Sequence, residues 1–516
     1  MLFNSYIFIL FFLPVTVAGF FIFGHKGHFK SAMAWLVAAS LFFYGWWNPV
    51  YLFIIIGSIL FNYAWGIIVG KKRSKYFLAA GIAANLSLLG YYKYANFFME
   101  NVSALTGVNV SLAPIALPLA ISFFTFQQIS YLVDAYQGKT KEYSFLNYCL
   151  FVTFFPQLIA GPIVHHKEML PQFSRKKIFN INPETLSVGI TIFFFGLFKK
   201  VVIADGLALY ATPVFDAAQH QYVLSFLEAW EGALAYTLQL YYDFSGYSDM
   251  AIGLAQIFGI RIPLNFNSPY KAVNFIDFWR RWHISLSRFL RDYLYIPLGG
   301  NRKGEPRRLL NIMMTMLLGG LWHGAAWTFV LWGGLHGVFL VINHLWIKFK
   351  QGAQIHVGEG AAGRFFSRML TFLLVTVAWV FFRADNAGTA VDMIKSMIGM
   401  NGFALPEHYL TKFAFLARPL ESWGVSFRNL YFFEGSNEVV YIAIALLIAW
   451  LAPNVQQLMT GYSPYINIMA KGKTLPSPPQ WLQWRPSNGW AVVFIICALV
   501  SIFSISRASE FLYFQF

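Results

Sequence analysis

Long apolar runs separated by short polar loops set the pattern of this chain from its first residues onward. About 20 apolar residues make a helix that crosses a bilayer. By that measure candidate spans lie near 5–23, 31–48, 51–70, 76–92, 114–133, 145–163, 185–204, 222–242, 247–261, 308–322, 325–346, 366–382, 438–454 and 488–506. Several are short or broken by Gly and Pro, so some are expected to be re-entrant or buried, leaving about eleven true crossings. The stretches 401–437 and 455–487 are the longest polar ones and read as loops, the second rich in Pro. No repeat or separate soluble domain is visible, so the chain reads as one all-α integral-membrane domain over 1–516.

Lys and Arg orient the spans, because basic loops stay cytoplasmic. HKGHFK (25–30) and KKRSK (71–75) are expected inside, which puts the N-terminus outside. The loop 93–113 carries little basic charge and is expected outside, and QGKTKEY (137–143) inside. HHKEMLPQFSRKK (165–177) is also basic, so both flanks of 145–163 belong to the cytoplasm. That segment contains FFPQLIAGPI, with Pro156, Gly161 and Pro162, and a broken re-entrant hairpin resolves the conflict. Non-helical backbone at that depth is tolerated only when buried in protein or lining a cavity.

Composition agrees with this reading. Of 516 residues 58% are hydrophobic and 12% charged, with a mean hydropathy of +0.54, against about 25% charged in a soluble domain. The net charge of +16 fits basic cytoplasmic loops, and without a long basic tract nucleic acid is not an expected partner. Membrane lipid is. The two cysteines, Cys149 and Cys497, lie in apolar runs and leave no cysteine-rich metal site. The N-terminal MLFNSYIFILFFLPVTVAGFFIF has no basic leader and reads as a retained first span.

FIDFWRRWHISLSRFLRDYLYIPLGGN (275–301) has a different character. Phe275, Phe278, Trp282, Leu286, Phe289 and Tyr293 recur at spacings of three and four, and Arg280, Arg281, Arg288, Arg291, Asp277 and Asp292 fall opposite, with His283 at the border. The spacing predicts one amphipathic helix in the interface plane. Its arginines either anchor it to headgroups or hold an anionic donor, guanidinium being the usual partner of phosphate.

Ionisable groups at membrane depth are expensive and face a bundle interior or a wet cavity. His323, in LWHGAAW (321–327), stands in a long apolar run beside Gly324, Ala325 and Ala326, small residues that let another backbone or a substrate approach. His336 lies thirteen residues on, about 20 Å along a continuous helix, so the two would not share a metal, and none is expected. An imidazole shielded from water can take a proton from a hydroxyl near pH 7. That suits attack of an alcohol on a thioester. The bland alternative for any one such residue is a packed, hydrogen-bonded histidine, and His336 reads that way. YYDFSGYSDMAIGLA (241–255) places Asp243, Asp249, Ser245 and Ser248 at the edge of a span, as a hydrogen-bonded junction or a polar cavity wall.

Eight ordered motifs resemble one family: YKYANFF (92–98), SFFTFQQISYLVDAY (122–136), FFPQLIAGPIV (154–164), GLFKKVVIAD (196–205), YYDFSGYSDMAIGLA, FWRRWHISLSRFLRDYLYIPLGGN, GLWHGAAWTFVLWGGLHG (320–337) and WVFFRA (379–384). They cover most of 90–385 and resemble the membrane-bound O-acyltransferases, in the bacterial branch that acetylates exopolysaccharides. The resemblance puts the family's defining histidine on His323 and its second histidine on His283. It implies a ring of tilted helices around a central funnel in the bacterial inner membrane. It also implies cytoplasmic acetyl-CoA as donor, with Arg280, Arg281 and Arg288 the candidates for its phosphates. A periplasmic serine-hydrolase-like (SGNH-like) acetyltransferase is the implied partner that completes transfer to an alginate-like or other secreted glycan. Three rival readings stay open: transfer of D-alanyl or another acyl group from a carrier-protein thioester; a transporter without chemistry, for which inverted repeats are the mark; and a purely structural membrane scaffold, which leaves His323 unexplained.

Overall fold

The computed structural model describes residues 1–108, 112–113, 115–140, 144–354, 360–412, 414–467, 475–505 and 512. Residues 109–111, 114, 141–143 and 468–474, within the expected segments 93–113, 114–133, 137–143 and 455–487, lie outside the described residues. The chain is a helical, multi-pass membrane protein. Phe8–His25, Val50–Lys72, Pro183–Gln219, Trp327–Gly352 and Ala361–Arg383 are each long and apolar enough to cross a bilayer. Phe29–Gly45, Asn437–Leu451 and Asn488–Ser504 are shorter apolar helices.

The frame is set by one helix, Phe226–Ile257, in which every residue from Ala235 to Ile257 is buried. A helix buried all round belongs to the core and not to its surface. Its N-terminal half packs with Trp332, Trp379 and Phe382, and its C-terminal half with the N-terminal helices, so it joins the two large apolar clusters. This corrects the sequence expectation of two spans, 222–242 and 247–261. The polar run SGYSD looks like a junction. It stays helical because partners reach it inside the core.

Those partners come from the helix Pro183–Gln219, which was expected to stop near 204. It continues through a π-helical stretch, Lys199–Ala204. Two glycine pairs bring its backbone against the central helix. A Cβ on Gly189 would lie 2.7 Å from the Gly253 carbonyl oxygen, and one on Gly196 would lie 2.6 Å from that of Gly246. Small residues allow such approach between helices. One turn beyond Gly196, Lys199 pairs with Asp249 at 2.6 Å, and Lys200 with Asp205 at 2.7 Å and Asp243 at 2.6 Å. Gln456 also donates to Asp249 at 2.9 Å. The motifs GLFKKVVIAD and YYDFSGYSDMAIGLA are therefore two halves of one buried charge network.

Elsewhere the segment 145–163 is broken as Pro and Gly lead one to expect. A helix, Phe145–Thr153, gives way to a single turn, Phe155–Leu158. Residues 148–166 are buried without interruption. Two polar stretches depart from expectation. The 93–113 loop contains a helix, Ala95–Thr106. Within 401–437, strands Phe403–Pro406 and Val425–Arg428 pair in parallel, Phe403 opposite Val425. Alternation is too short there to announce itself.

Removing one partner of a buried ion pair costs about 3–5 kcal/mol, because it strands the other charge. Lys200→Met should therefore lower the yield of folded protein and its unfolding temperature in detergent. Adding Asp243→Asn should recover part of that loss, read by thermal unfolding of the purified variants.

Candidate active site

The helix Glu305–His323 ends on its histidine. Gly324 (φ −159°, ψ 150°) and Ala326 (φ −149°, ψ 153°) are extended, and the next helix, Trp327–Gly352, runs back along the first. The hairpin is tight. A Cβ on Gly320 would lie 2.2 Å from the Phe329 carbonyl oxygen, and one on Gly333 would lie 2.3 Å from that of Met316.

A helix that stops inside an apolar core leaves its last carbonyls without intrahelical donors. Here YKYANFF supplies them. Tyr94 donates its hydroxyl to the Leu321 carbonyl at 2.9 Å. The Lys93 ammonium donates to the carbonyls of Trp322 at 2.5 Å and His323 at 3.1 Å. Lys93 also lies over the Trp322 ring, 5.8 Å from its centroid. Both residues belong to a π-helical turn, Gly90–Tyr94, and such wider turns recur at functional sites.

The His323 imidazole stands inside aromatic walls. Ring centroids of Trp322, Trp332 and Phe382 lie 4.9, 5.1 and 5.2 Å from it, and the residue is 6% exposed. Neither ring nitrogen has a hydrogen-bond partner among the described residues. Phe382 comes from WVFFRA. Trp322 is itself wedged between Phe123 at 5.6 Å and Phe126 at 5.3 Å, from SFFTFQQISYLVDAY.

His283 is buried, with Phe244 edge-on at 4.9 Å and Trp322 at 6.4 Å. The Trp322 ring is thus a neighbour of both histidines. The expectation of a single interfacial helix over 275–301, with His283 at its border, does not hold. Helices Phe275–Trp279 and Ile284–Leu290 are separated by a break in which His283 adopts φ 42°. Asn265 and Asn267 open the helix: Asn267 N donates to the Arg281 carbonyl, Ile284 N to the Asn265 carbonyl, both at 3.0 Å, and Ser285 Oγ to Asn265 Oδ1 at 2.6 Å. The apolar stripe is still buried, but against protein. Ser285 also accepts the Ile163 N–H at 2.9 Å, tying the re-entrant segment to this break.

The three arginines fare differently. Arg281 pairs with Asp277 at 2.8 Å, and Arg288 with Glu168 at 2.6 Å. Arg280 is exposed and makes no ion pair among the described residues. Near Arg288, Tyr293 OH lies 3.2 Å from His165 Nδ1 and donates to Asp134 at 3.4 Å. Burial, with the Arg288 guanidinium close by, pushes His165 down to about 4, so this imidazole is neutral at pH 7.

His336 requires a correction of premise. The chain reverses at 324–326, so the distance along a continuous helix does not apply. His336 returns beside the site, and the Trp332 ring is a neighbour of both imidazoles, 5.1 Å from His323 and 4.9 Å from His336. It is enclosed by Phe278, Trp279 and Trp332. Sequence reasoning assigned no role to Lys93, Tyr94, Trp332 or Phe382. A lysine closing an otherwise apolar run was the one visible signal among them.

A profile of the membrane-bound O-acyltransferase family matches residues 81–376, which hold both histidines and Lys93. The chain is 46% identical over 437 residues to a peptidoglycan O-acetyltransferase of Helicobacter pylori, covering 78% of this chain and 81% of that one. It is 36% identical, over the whole of both chains, to a protein of Pseudomonas syringae named "probable alginate O-acetylase". A teichoic acid D-alanyltransferase of Bacillus subtilis is 30% identical over 241 residues, 45% of this chain and 60% of that one.

Overpacking a close helix contact costs about 1–3 kcal/mol. Gly320→Ala should splay the hairpin at the turn before His323, lowering the unfolding temperature and activity together. His336→Phe should leave activity within about threefold of the parent, because that ring is packed among Phe278, Trp279 and Trp332 and a phenyl ring suits the same apolar enclosure. Both are read on purified protein in nanodiscs.

Proposed function

This chain belongs to the membrane-bound O-acyltransferase family, and from that premise we propose that it takes acetyl from cytoplasmic acetyl-CoA and passes it across the bacterial inner membrane for O-acetylation of a secreted polysaccharide. The observation that carries this reading is the His323 imidazole, free of protein hydrogen bonds among the described residues and walled by Trp322, Trp332 and Phe382. The names of its long-matching relatives support an acetyl group and a polysaccharide as the cargo and its destination. The likeness to a D-alanyltransferase is shorter.

In this reading His323 is the general base. It takes the proton of an acceptor hydroxyl, and the oxygen attacks the thioester carbonyl carbon. The C–O bond forms as the C–S bond breaks, and the imidazolium returns the proton to the departing thiolate. Acetyl ester and free thiol are the products, with no other reactant consumed. Aromatic walls keep water from the thioester. His283, a second neighbour of Trp322, orients the thioester. Arg280 is the guanidinium left over for a donor phosphate, since carboxylates occupy Arg281 and Arg288. The acetyl group then reaches the glycan through a periplasmic SGNH-like acetyltransferase.

General base catalysis contributes about 10²–10⁴-fold. With labelled acetyl-CoA and purified protein, His323→Ala should reduce thioester cleavage by that factor while the variant inserts and folds normally. Parent-level cleavage would sink the assignment. His283→Ala should be slowed but leave measurable turnover. Arg280→Ala should raise KM for acetyl-CoA and leave KM for a short acetyl thioester lacking the nucleotide unchanged.

A further inference from the structure

Lys93 is a part-buried lysine without a carboxylate partner among the described residues. Lys199 and Lys200 each have acidic partners, whereas Lys93 has none within ion-pair distance among the described residues. Its ammonium is held by the Trp322 and His323 carbonyls, by Ser122 Oγ at 3.5 Å and by the face of Trp322. A charge at apolar depth is costly, and a neutral donor could satisfy a carbonyl there. The partial negative charge at a helix C-terminus favours a cation, and this particular terminus is the residue that carries the imidazole.

We propose that Lys93 is a positioning residue for acyl transfer, acting through His323. Its ammonium pins the final two carbonyls of the helix Glu305–His323, and so fixes the backbone from which the imidazole projects. The next residue, Gly324, is extended and has no side chain to lock the turn. Without Lys93 the helix would fray at His323 itself, and the ring would lose its set within the aromatic walls. A misplacement of about 1 Å in a reacting group costs about 10²-fold in rate. The inference rests on the reading of His323 as the base.

The test compares Lys93→Met, Lys93→Gln and Lys93→Arg with the parent protein in nanodiscs, using labelled acetyl-CoA. Folded protein is measured by gel filtration and thermal unfolding, so rates refer to folded enzyme. The Met variant should lose about 100-fold in kcat with donor KM within about threefold. The Arg variant, which keeps charge and donors, should recover at least about tenfold of that loss. The Gln variant, with donors and no charge, should fall between them, and serves alone if the Met variant does not fold. Tyr94→Phe, which removes only the bond to Leu321, should cost less in kcat than any of the neutral Lys93 variants. A neutral variant with the parent kcat, a loss confined to KM, or equal losses in the Arg and neutral variants would overturn the inference. Cleavage that survives His323→Ala would instead overturn the reading of the base, whatever the Lys93 variants do.

Discussion

The end of one helix inside an apolar core is the constraint on which the site depends. Three carbonyls, of Leu321, Trp322 and His323, close a helix in an apolar setting and take their donors from outside it. Tyr94 and Lys93 supply the missing donors from a π-helical turn. With those bonds made, the chain can leave the helix immediately after its histidine, cross three residues, and return. The imidazole is thereby placed at a chain reversal, where its ring nitrogens are free of backbone competition.

The same rule of satisfying polar groups in an apolar solvent explains the frame. The central helix can carry Asp243 and Asp249 through the core because two adjacent lysines meet them, one turn after a glycine crossing that lets the backbones touch. Glycines set the distance and charges set the register. A helix this deeply buried then provides a wall for both apolar clusters. Phe244, from its middle, lies against His283.

Aromatic residues line all three histidines. Trp322 neighbours both His283 and His323, and Trp332 both His323 and His336. This shared lining gathers the three imidazoles in one region of the core. It also explains why the break at His283 matters: only the left-handed turn there, drawn open by Asn265 and Asn267, brings that histidine inward from a surface where an unbroken helix would have left it.

Sequence alone determined the solvent, the class and the residue to suspect. Long apolar runs admit only helices spanning lipid, and an imidazole in such a run is costly enough to be a candidate. The broken character of 145–163 was also legible, since Pro156, Gly161 and Pro162 are local instructions. Contacts between distant segments were not. That 241–255 lies in mid-helix, that 275–301 breaks at His283, that Lys93 closes a helix more than two hundred residues away, and that Trp332 lines both His323 and His336 were decided by tertiary structure. Each depends on which polar atom finds a partner once water is gone, and periodicity along the chain carries no record of partners from elsewhere in it.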